Sequence, residues 1–316
     1  MIGGVRSATA AGGRVIVVGS LNVDRLWRVP RLPVAGETLQ ATGTRVEFGG
    51  KGANQAIAAA RHGAAVAMVG AVGADADGAA YLAHLRAEGV DVSNLFTVEG
   101  APTGSALICV DERGENQIVV AAGANGTVSA QAVERAVTTL APEARVLLAG
   151  LEVPVEATVA ALRAAAAAGV ITVFNPSPVS ADFPWGAVRI SVVIVNEREC
   201  AQIFGAPDAA AAKRRGVDHL VVTRGAAPTL WLSAEGTREF PAHPVRPVDT
   251  VGAGDTFAGT LAVRLAEGAG FPEAIAAANV AAALSTLGPG AQGPIPRRAE
   301  VEAAVSRARD PAAPGG

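Results

Sequence analysis

The sequence lacks the residue patterns that mark metal centres and redox motifs. It has only two cysteines, Cys109 and Cys200, which lie far apart and form neither a CxxC pair nor a zinc spacing. We expect both to be buried thiols in a reducing compartment. The four histidines show neither HxxxH nor HExxH spacing, which argues against zinc held by the protein.

Charge and long apolar runs are also scarce. Charged residues make up 17% of the chain and the formal net charge is −3, so no basic surface for nucleic acid is indicated. No apolar run reaches the roughly 18 residues needed to cross a membrane, and no compact leucine-rich leader is seen. We therefore expect a cytoplasmic protein with no nucleic-acid or membrane partner.

What the sequence has in quantity is hydrophobic residues, which make up 50% of the chain. Between residues 14 and 300, short β-branched runs such as 15–19 and 66–70 alternate with helical patterns such as 52–62 and 76–88. This alternation predicts one α/β domain with a doubly wound, mostly parallel sheet flanked by helices. We predict that residues 1–13 and 309–316 are disordered.

Two segments interrupt the alternation. Residues 25–48 and 101–121 contain short extended pieces without neighbouring helices. They predict a small separate sheet, inserted twice into the main pattern, that forms a lid over a ligand site.

The stretch 249–257 carries the most distinctive chemistry. Gly252, Ala253 and Gly254 leave backbone N–H groups unobstructed at the start of a predicted helix, and such a place attracts anions. Asp255 in an anion site suits a base that takes a proton from a nucleophile attacking a bound phosphate. It equally suits a helix cap.

Other polar residues fall at strand ends or helix starts, where α/β proteins bind ligands. Asn196 and Glu199 share one helix face, which fits a metal–water–phosphate cluster and also a capping box. Residues 288–293 match GxGxxG but follow a helix, so a dinucleotide site is disfavoured. The polar residues in question are Asn22, Asp24, Asn54, Glu152, Asn196, Glu199, Thr223 and Asp255.

Two long motifs resemble signatures of a known family. They are FGGKGANQAIAAARHGA at 48–64 and VDTVGAGDTFAGTLAVRL at 248–265, and shorter pieces such as GSLNVD at 19–24 and AGAN at 122–125 agree with them. On these residues the chain resembles the ribokinase-like (PfkB) carbohydrate kinases from about residue 14 to residue 296.

The resemblance implies ATP-dependent phosphorylation of a sugar's primary hydroxyl. Asp255 corresponds to the catalytic base, and the amides of Gly252, Ala253 and Gly254 to the anion hole. The positions matching sugar contacts are Asn22, Asp24, Gly50, Lys51, Asn54 and Glu152, together with Asp255. The positions matching ATP contacts are Asn196, Thr223, Gly225, Gly254 and Asn279.

The resemblance also implies metals and an assembly. Asn196 and Glu199 would hold Mg²⁺ through water and phosphate, and the lid would form a homodimer. A K⁺ site is implied around Asp249, Val251, Ser285, Gly288 and Gly290.

Several substrates remain open. The motif at 49–54 favours ribose as a pentose substrate, giving ribose 5-phosphate. Deoxyribose, fructose, ketodeoxygluconate and a nucleoside such as adenosine are alternatives. A different class of function is an inactive sugar sensor on the same fold, which the intact Asp255 argues against.

Overall fold

A computed structural model describes residues 13–309 of the chain. In this part, nine strands form one large sheet and four form a second, smaller sheet. The large sheet consists of β1 (Arg14–Val18), β4 (Val66–Gly73), β5 (Val90–Val98), β8 (Ala144–Gly150), β9 (Ile171–Asn175), β10 (Ile190–Asn196), β11 (Val217–Arg224), β12 (Ala227–Ser233) and β13 (Gly236–Phe240). The small sheet consists of β2 (Asn22–Arg28), β3 (Gly43–Gly49), β6 (Gly104–Val110) and β7 (Asn116–Ala121).

The described residues also form nine α-helices. They are α1 (Lys51–Arg61), α2 (Ala76–Ala87), α3 (Ala130–Leu140), α4 (Val155–Ala167), α5 (Glu197–Phe204), α6 (Ala209–Arg214), α7 (Ala253–Ala266), α8 (Phe271–Ser285) and α9 (Arg298–Arg309). Two short 3₁₀ segments lie at Gly123–Thr127 and Ala141–Glu143.

The large sheet has the strand order β13-β12-β11-β10-β9-β8-β1-β4-β5. Its pairs are parallel from β11 across to β5, and β12 and β13 add an antiparallel edge. The predicted α/β fold with a mostly parallel sheet is therefore confirmed.

The core lies on both faces of this sheet. In β1, Ile16 and Val18 belong to one buried cluster, and Val15 and Val17 belong to the other. Successive side chains of a strand point to opposite faces, so a strand covered on both sides must be apolar at every position. This explains why the central strands appear in the sequence as continuous β-branched runs.

Helices α1 and α7 pack unusually closely against each other. A Cβ atom at Gly259 would lie 2.6 Å from the carbonyl oxygen of Gln55 and 2.7 Å from the Cβ atom of Ala58. Only glycine allows this approach, and it brings the first turns of α1 and α7 together. The functional site described below forms where these two turns meet.

The small sheet has the order β3-β2-β6-β7. The pair β2–β6 is parallel, and the pairs β2–β3 and β6–β7 are antiparallel. The strands come from the two segments that were predicted to leave the α/β alternation. Apolar side chains on it are exposed, among them Val46, Ile118 and Val119.

Some sequence predictions need correction. Strand β5 was missed because polar residues such as Asp91 and Ser93 interrupt its apolar pattern, as an edge strand permits. Helix α9 was missed because half of its residues are polar and only a narrow apolar stripe, with Val301, Ala304 and Val305, packs on α8. Helix α7 begins at residue 253, whereas the sequence pattern indicates a helix from about residue 256.

Asn22 and Asp24 belong to β2 itself, although we expected them in the loop beyond β1. The predicted disorder of residues 1–13 and 309–316 lies outside the described residues, except for Gly13 and for Arg309, the last residue of α9. No helix within residues 13–309 is both long and apolar enough to span a bilayer.

Candidate active site

Asp255 lies in the first turn of α7. The N-cap of this helix is Gly252, whose φ of 77° is left-handed and suits glycine. Asp255 is the third helical residue, so the interpretation of Asp255 as the helix cap is wrong. Its carboxylate is instead reached by side chains of α1, because Asn54 Nδ2 donates to Oδ2 at 2.9 Å and Gln55 Nε2 donates to Oδ1 at 3.1 Å.

The start of α7 offers unpaired backbone donors. The N–H groups of Gly252, Gly254 and Asp255 have no hydrogen-bond partner among residues 13–309. The N–H of Ala253 donates to the carbonyl oxygen of Thr250 at 3.3 Å, so this predicted member of the anion hole is already engaged. Three free amides at a helix N-terminus favour an anion such as a phosphoryl group.

Opposing effects act on the pKa of Asp255. Burial raises the pKa of Asp255, while the Lys51 ammonium and the hydrogen bonds from Asn54 and Gln55 lower it. The pKa of Lys51 is raised chiefly by Asp255 and further by Glu152 and Glu199. The ammonium group thus lies among three carboxylates contributed by different parts of the fold.

The residues predicted to contact sugar gather beside this carboxylate. Glu152 accepts a hydrogen bond from the backbone N–H of Lys51 at 3.0 Å, and another from the Ser20 hydroxyl. Gly50 caps α1 with a φ of 88°. Side chains of the second strand complete the group: Asn22 Oδ1 accepts from Asn125 Nδ2 at 2.8 Å.

Asp24 is the other sugar-side acid. Burial chiefly, and then the carboxylates of Glu152 and Glu47, together raise its pKa to about 7. The carboxylates of Asp24 and Glu152 are therefore close enough to influence each other electrostatically.

The five residues predicted to bind ATP line one cavity of about 600 Å³. Its walls include Phe257, Val245 and Ala282, which provide an apolar surface for a flat ring. Asn279 is held by the protein itself, accepting from Thr229 Oγ1 at 2.7 Å and donating to the carbonyl oxygen of Pro241 at 3.0 Å. The predicted lining residues are Asn196, Thr223, Gly225, Gly254 and Asn279.

Asn196 and Glu199 form the capping box that the sequence allowed. Asn196 Oδ1 accepts from the Glu199 N–H at 2.8 Å, and Glu199 Oε2 accepts from the Asn196 N–H at 2.9 Å. These hydrogen bonds use only one of the two oxygens of the Glu199 carboxylate. The capping role and a metal role are therefore compatible.

The residues predicted to surround a monovalent cation come from two adjacent segments. The Asp249 carboxylate joins them, accepting from the Val251 N–H at 3.0 Å and from the Gly290 N–H at 2.9 Å. Ser285 is buried and its hydroxyl donates to the carbonyl oxygen of Ala282. Gly288 packs against Pro294, which a Cβ atom at residue 288 would approach to 3.0 Å.

Comparison with known proteins agrees with this arrangement. The family model described as pfkB family carbohydrate kinase matches residues 13–298. The chain belongs to the pfkB carbohydrate kinases. Ribokinase from Haemophilus influenzae is 36% identical over 294 residues, covering 90% of this chain and 95% of that protein.

Solved structures of kinases give the same result. Ribokinase from Thermotoga maritima has a TM-score of 0.81 at 31% identity, covering 93% of this chain and 99% of that one. Ribokinase from Arabidopsis thaliana, solved with ribose and ATP, has a TM-score of 0.83 at 27% identity over 93% of this chain and 99% of that one.

The kinase site also contains residues that sequence reasoning did not assign. Gln55 donates to Asp255 directly, and Ser20, Asn125 and Gln292 each bond to a residue predicted to contact sugar. All four lie within or beside the family motifs. Their roles could not be read from local patterns, because each partner is distant in the sequence.

Proposed function

We propose that this kinase transfers the γ-phosphoryl group of ATP to the primary hydroxyl of D-ribose, giving ribose 5-phosphate. The observation that supports this most directly is the junction between Gly254 and Asp255. Gly254 lines the 600 Å³ cavity, while Asp255, the next residue, is bonded to Asn54 on the sugar side. A hydroxyl held beside Asn54 would thus meet a phosphate entering from the cavity.

The chain's own groups are arranged for a direct transfer. Asp255 accepts the hydroxyl proton while the oxygen forms a bond to the γ-phosphorus. The bond from that phosphorus to the β–γ bridging oxygen breaks, and ADP leaves. The free amides of Gly252, Gly254 and Asp255, with the Lys51 ammonium, stabilise the charge that develops on the phosphoryl oxygens.

The sugar would be held by polar groups on two sides. Asp24 and Asn22 come from the small sheet, and Asn54 and Glu152 come from the large domain. Hydrogen bonds to individual hydroxyls distinguish ribose from sugars that lack one of them. Closure of the small sheet over the sugar would exclude water from the transfer.

Mg²⁺ fits the site chemically. Among residues 13–309 no group of three or more His, Cys, Asp or Glu side chains has an arrangement that could hold a metal ion. In phosphoryl-transfer sites Mg²⁺ needs only one or two carboxylates, because phosphate oxygens and water fill its other positions. Glu199, supported by Asn196, would hold it, and when bound it neutralises charge on the phosphates.

K⁺ would be held between the two segments joined by Asp249. Besides this carboxylate, the donors would be backbone carbonyls near Val251, Ser285, Gly288 and Gly290. Oxygen donors of this kind suit hard cations. Its position at the base of the α7 turn would support the anion-binding amides.

The small sheet would also form a homodimer. Val46, Leu107 and Val119 align across three of its strands on one face, and all are exposed. Apolar surface of this kind marks interfaces. Val119→Lys should convert a dimer to a monomer in light scattering, whereas Val34→Lys, equally exposed but outside the strands, should leave the dimer intact.

We propose the cytoplasm as the compartment. ATP is the co-substrate, and the chain has two free cysteines, Cys109 and Cys200. Unpaired thiols persist in reducing compartments.

The decisive experiment is a substrate panel. ADP formation is coupled to NADH oxidation with D-ribose, 2-deoxy-D-ribose, D-fructose, ketodeoxygluconate and adenosine, each with and without K⁺, and with Mg²⁺ or EDTA. We expect the highest kcat/KM with ribose, and a product phosphorylated at the primary carbon by ³¹P NMR. A higher kcat/KM with another compound would reassign the substrate, and no turnover with any compound would favour the sugar sensor.

A further inference from the structure

A buried chain of polar side chains reaches Asp255 from outside the groups assigned above. Gln292 is at its centre, where Nε2 lies 2.9 Å from Asn54 Oδ1 and 3.0 Å from the Tyr81 hydroxyl, and Oε1 lies 2.9 Å from His84 Nε2. Asn54 then bonds to Asp255. Gln292 is 6% exposed, Asn54 is 5% exposed and Tyr81 is fully buried.

The direction of every hydrogen bond in this chain is determined by Gly49. Its carbonyl oxygen can only accept, so the Tyr81 O–H must donate to it. The Tyr81 oxygen must then accept from the Gln292 NH₂ group. That NH₂ group also faces Asn54, so Asn54 presents its oxygen to Gln292 and its NH₂ group to Asp255.

This orientation matters because an asparagine side chain has nearly the same shape when its amide is reversed. A reversed Asn54 would place an acceptor oxygen against the Asp255 carboxylate. In the observed orientation, Asn54 and Gln55 each give one N–H to a different carboxylate oxygen. Asp255 favours this state while its carboxylate is ionised and only accepts, whereas Gln292 favours it whatever the charge on Asp255.

We propose that Gln292 is a positioning residue of this kinase, which together with Tyr81 holds Asn54 in the one orientation that keeps an N–H on Asp255. The inference rests on the proposed role of Asp255 as the base. It assigns the loop after α8 a part in proton transfer, although Gln292 does not touch Asp255.

The loop that carries Gln292 is anchored independently of any ligand. Arg61 Nη1 donates to the carbonyl oxygen of Gln292 at 2.8 Å and to that of Ile295 at 2.9 Å. Its Nη2 binds Glu88 at 2.7 Å. The backbone of Gln292 is therefore held in place by the protein, as a positioning residue requires.

Two substitutions at residue 292 distinguish an effect on the orientation of Asn54 from effects of packing and of charge. Gln292→Glu keeps the shape but loses both N–H donors, so Asn54 turns its NH₂ group towards residue 292. Gln292→Met fills similar space and selects no orientation. The readouts are kcat against pH, KM for sugar and thermal stability, and Gln131→Glu on the exposed surface of α3 is the control.

We expect the acidic limb of the kcat profile to move to higher pH in both variants. The shift should be about one pH unit in Gln292→Glu, because loss of a hydrogen bond to a charged group is of that order, and smaller in Gln292→Met. At pH values below the acidic limb, kcat should therefore fall roughly tenfold in Gln292→Glu. The Gln131→Glu profile should match the wild type.

Other outcomes would overturn the proposal. A limb that stays in place in both variants, whatever happens to stability, means that Gln292 only packs the loop. A shift in Gln292→Glu alone means that the added charge acts, not the orientation of Asn54. If neither variant folds, Tyr81→Phe serves instead, and an unshifted limb there counts against the proposal.

Failure of the proposed kinase function can be distinguished from failure of the positioning role of Gln292. If the wild type phosphorylates no sugar, the titration of Asp255 is followed by ¹³C NMR of labelled aspartate, assigned with Asp255→Asn. A higher Asp255 pKa in Gln292→Met than in the wild type supports the positioning role without any activity. Equal titration in the two proteins refutes it.

Discussion

Asp24 and Glu47 lie directly opposite each other in the antiparallel pair of β2 and β3. Two carboxylates in this arrangement repel each other and destabilise the sheet. Burial, Glu152 and Glu47 together raise the pKa of Asp24 to about 7. The small sheet thus keeps an acid at the sugar site at some expense of stability near neutral pH.

The stability of the ligand-free protein should reflect this acid. The folded state holds the Asp24 proton up to about pH 7, while the unfolded chain releases it near the ordinary value of 3.8. Stability contributed by this group is present below pH 3.8 and is lost as pH rises to about 7. Asp24→Asn should therefore gain in melting temperature over the wild type as pH rises from 5 to about 7, and level off above.

Thermal melts at a series of pH values test this. Asp182→Asn, a change at an exposed acid, is the control and should give a difference that does not vary with pH. A pH-independent difference for Asp24→Asn would contradict the raised pKa.

Asp255→Asn should lose most of the catalytic rate and keep sugar binding. The amide cannot accept the hydroxyl proton, and base catalysis contributes roughly 10²–10⁴-fold. We expect a fall of that order in kcat by the coupled assay, with the dissociation constant for sugar in calorimetry changed only a few-fold. A variant that turned over near the wild-type rate would remove Asp255 from its role.

Lys51→Met should change the pH profile as well as the rate. The ammonium lowers the pKa of Asp255, so its removal raises that pKa and moves the acidic limb of kcat to higher pH. Activity at pH 6 should suffer more than activity at pH 8.5. Lys213→Met, at an exposed lysine paired with Asp218, is the matched control. An equal loss at all pH values would limit Lys51 to charge stabilisation.

Gly259→Ala should separate α1 from α7. The new methyl would lie 2.6 Å from the Gln55 carbonyl oxygen, and overpacking of this kind costs about 1–3 kcal/mol. Urea unfolding should show that loss, and kcat should fall because Asn54 and Gln55 move away from Asp255. Gly126→Ala, whose methyl would meet only Ala122 at 3.5 Å, should do neither.

The alternation of strands and helices could be predicted from the sequence because its signal is local. β1 is apolar from Val15 to Val18 since both its faces are buried there, and the glycines at the start of α7 leave its first amides unobstructed. Asn196 and Thr223 reach the cavity from strand ends in the same way, whereas Asn279, which only the family resemblance indicated, reaches it from α8. Strand β5 and helix α9 were not predicted because their own residues show no clear hydrophobic periodicity. Packing against neighbouring elements stabilises them instead.

Only the tertiary structure shows which side chains contact Asp255 and where it lies in its helix. As a motif, the stretch 249–257 allowed a cap or a base. The helix begins at Ala253, which moves Asp255 off the cap, and Asn54 and Gln55 arrive from about 200 positions away to bind it. Gln292 reaches Asn54 across 238 positions. Such bonds depend on how closely α1, α7 and the loop after α8 pack, and no local pattern of residues encodes that distance.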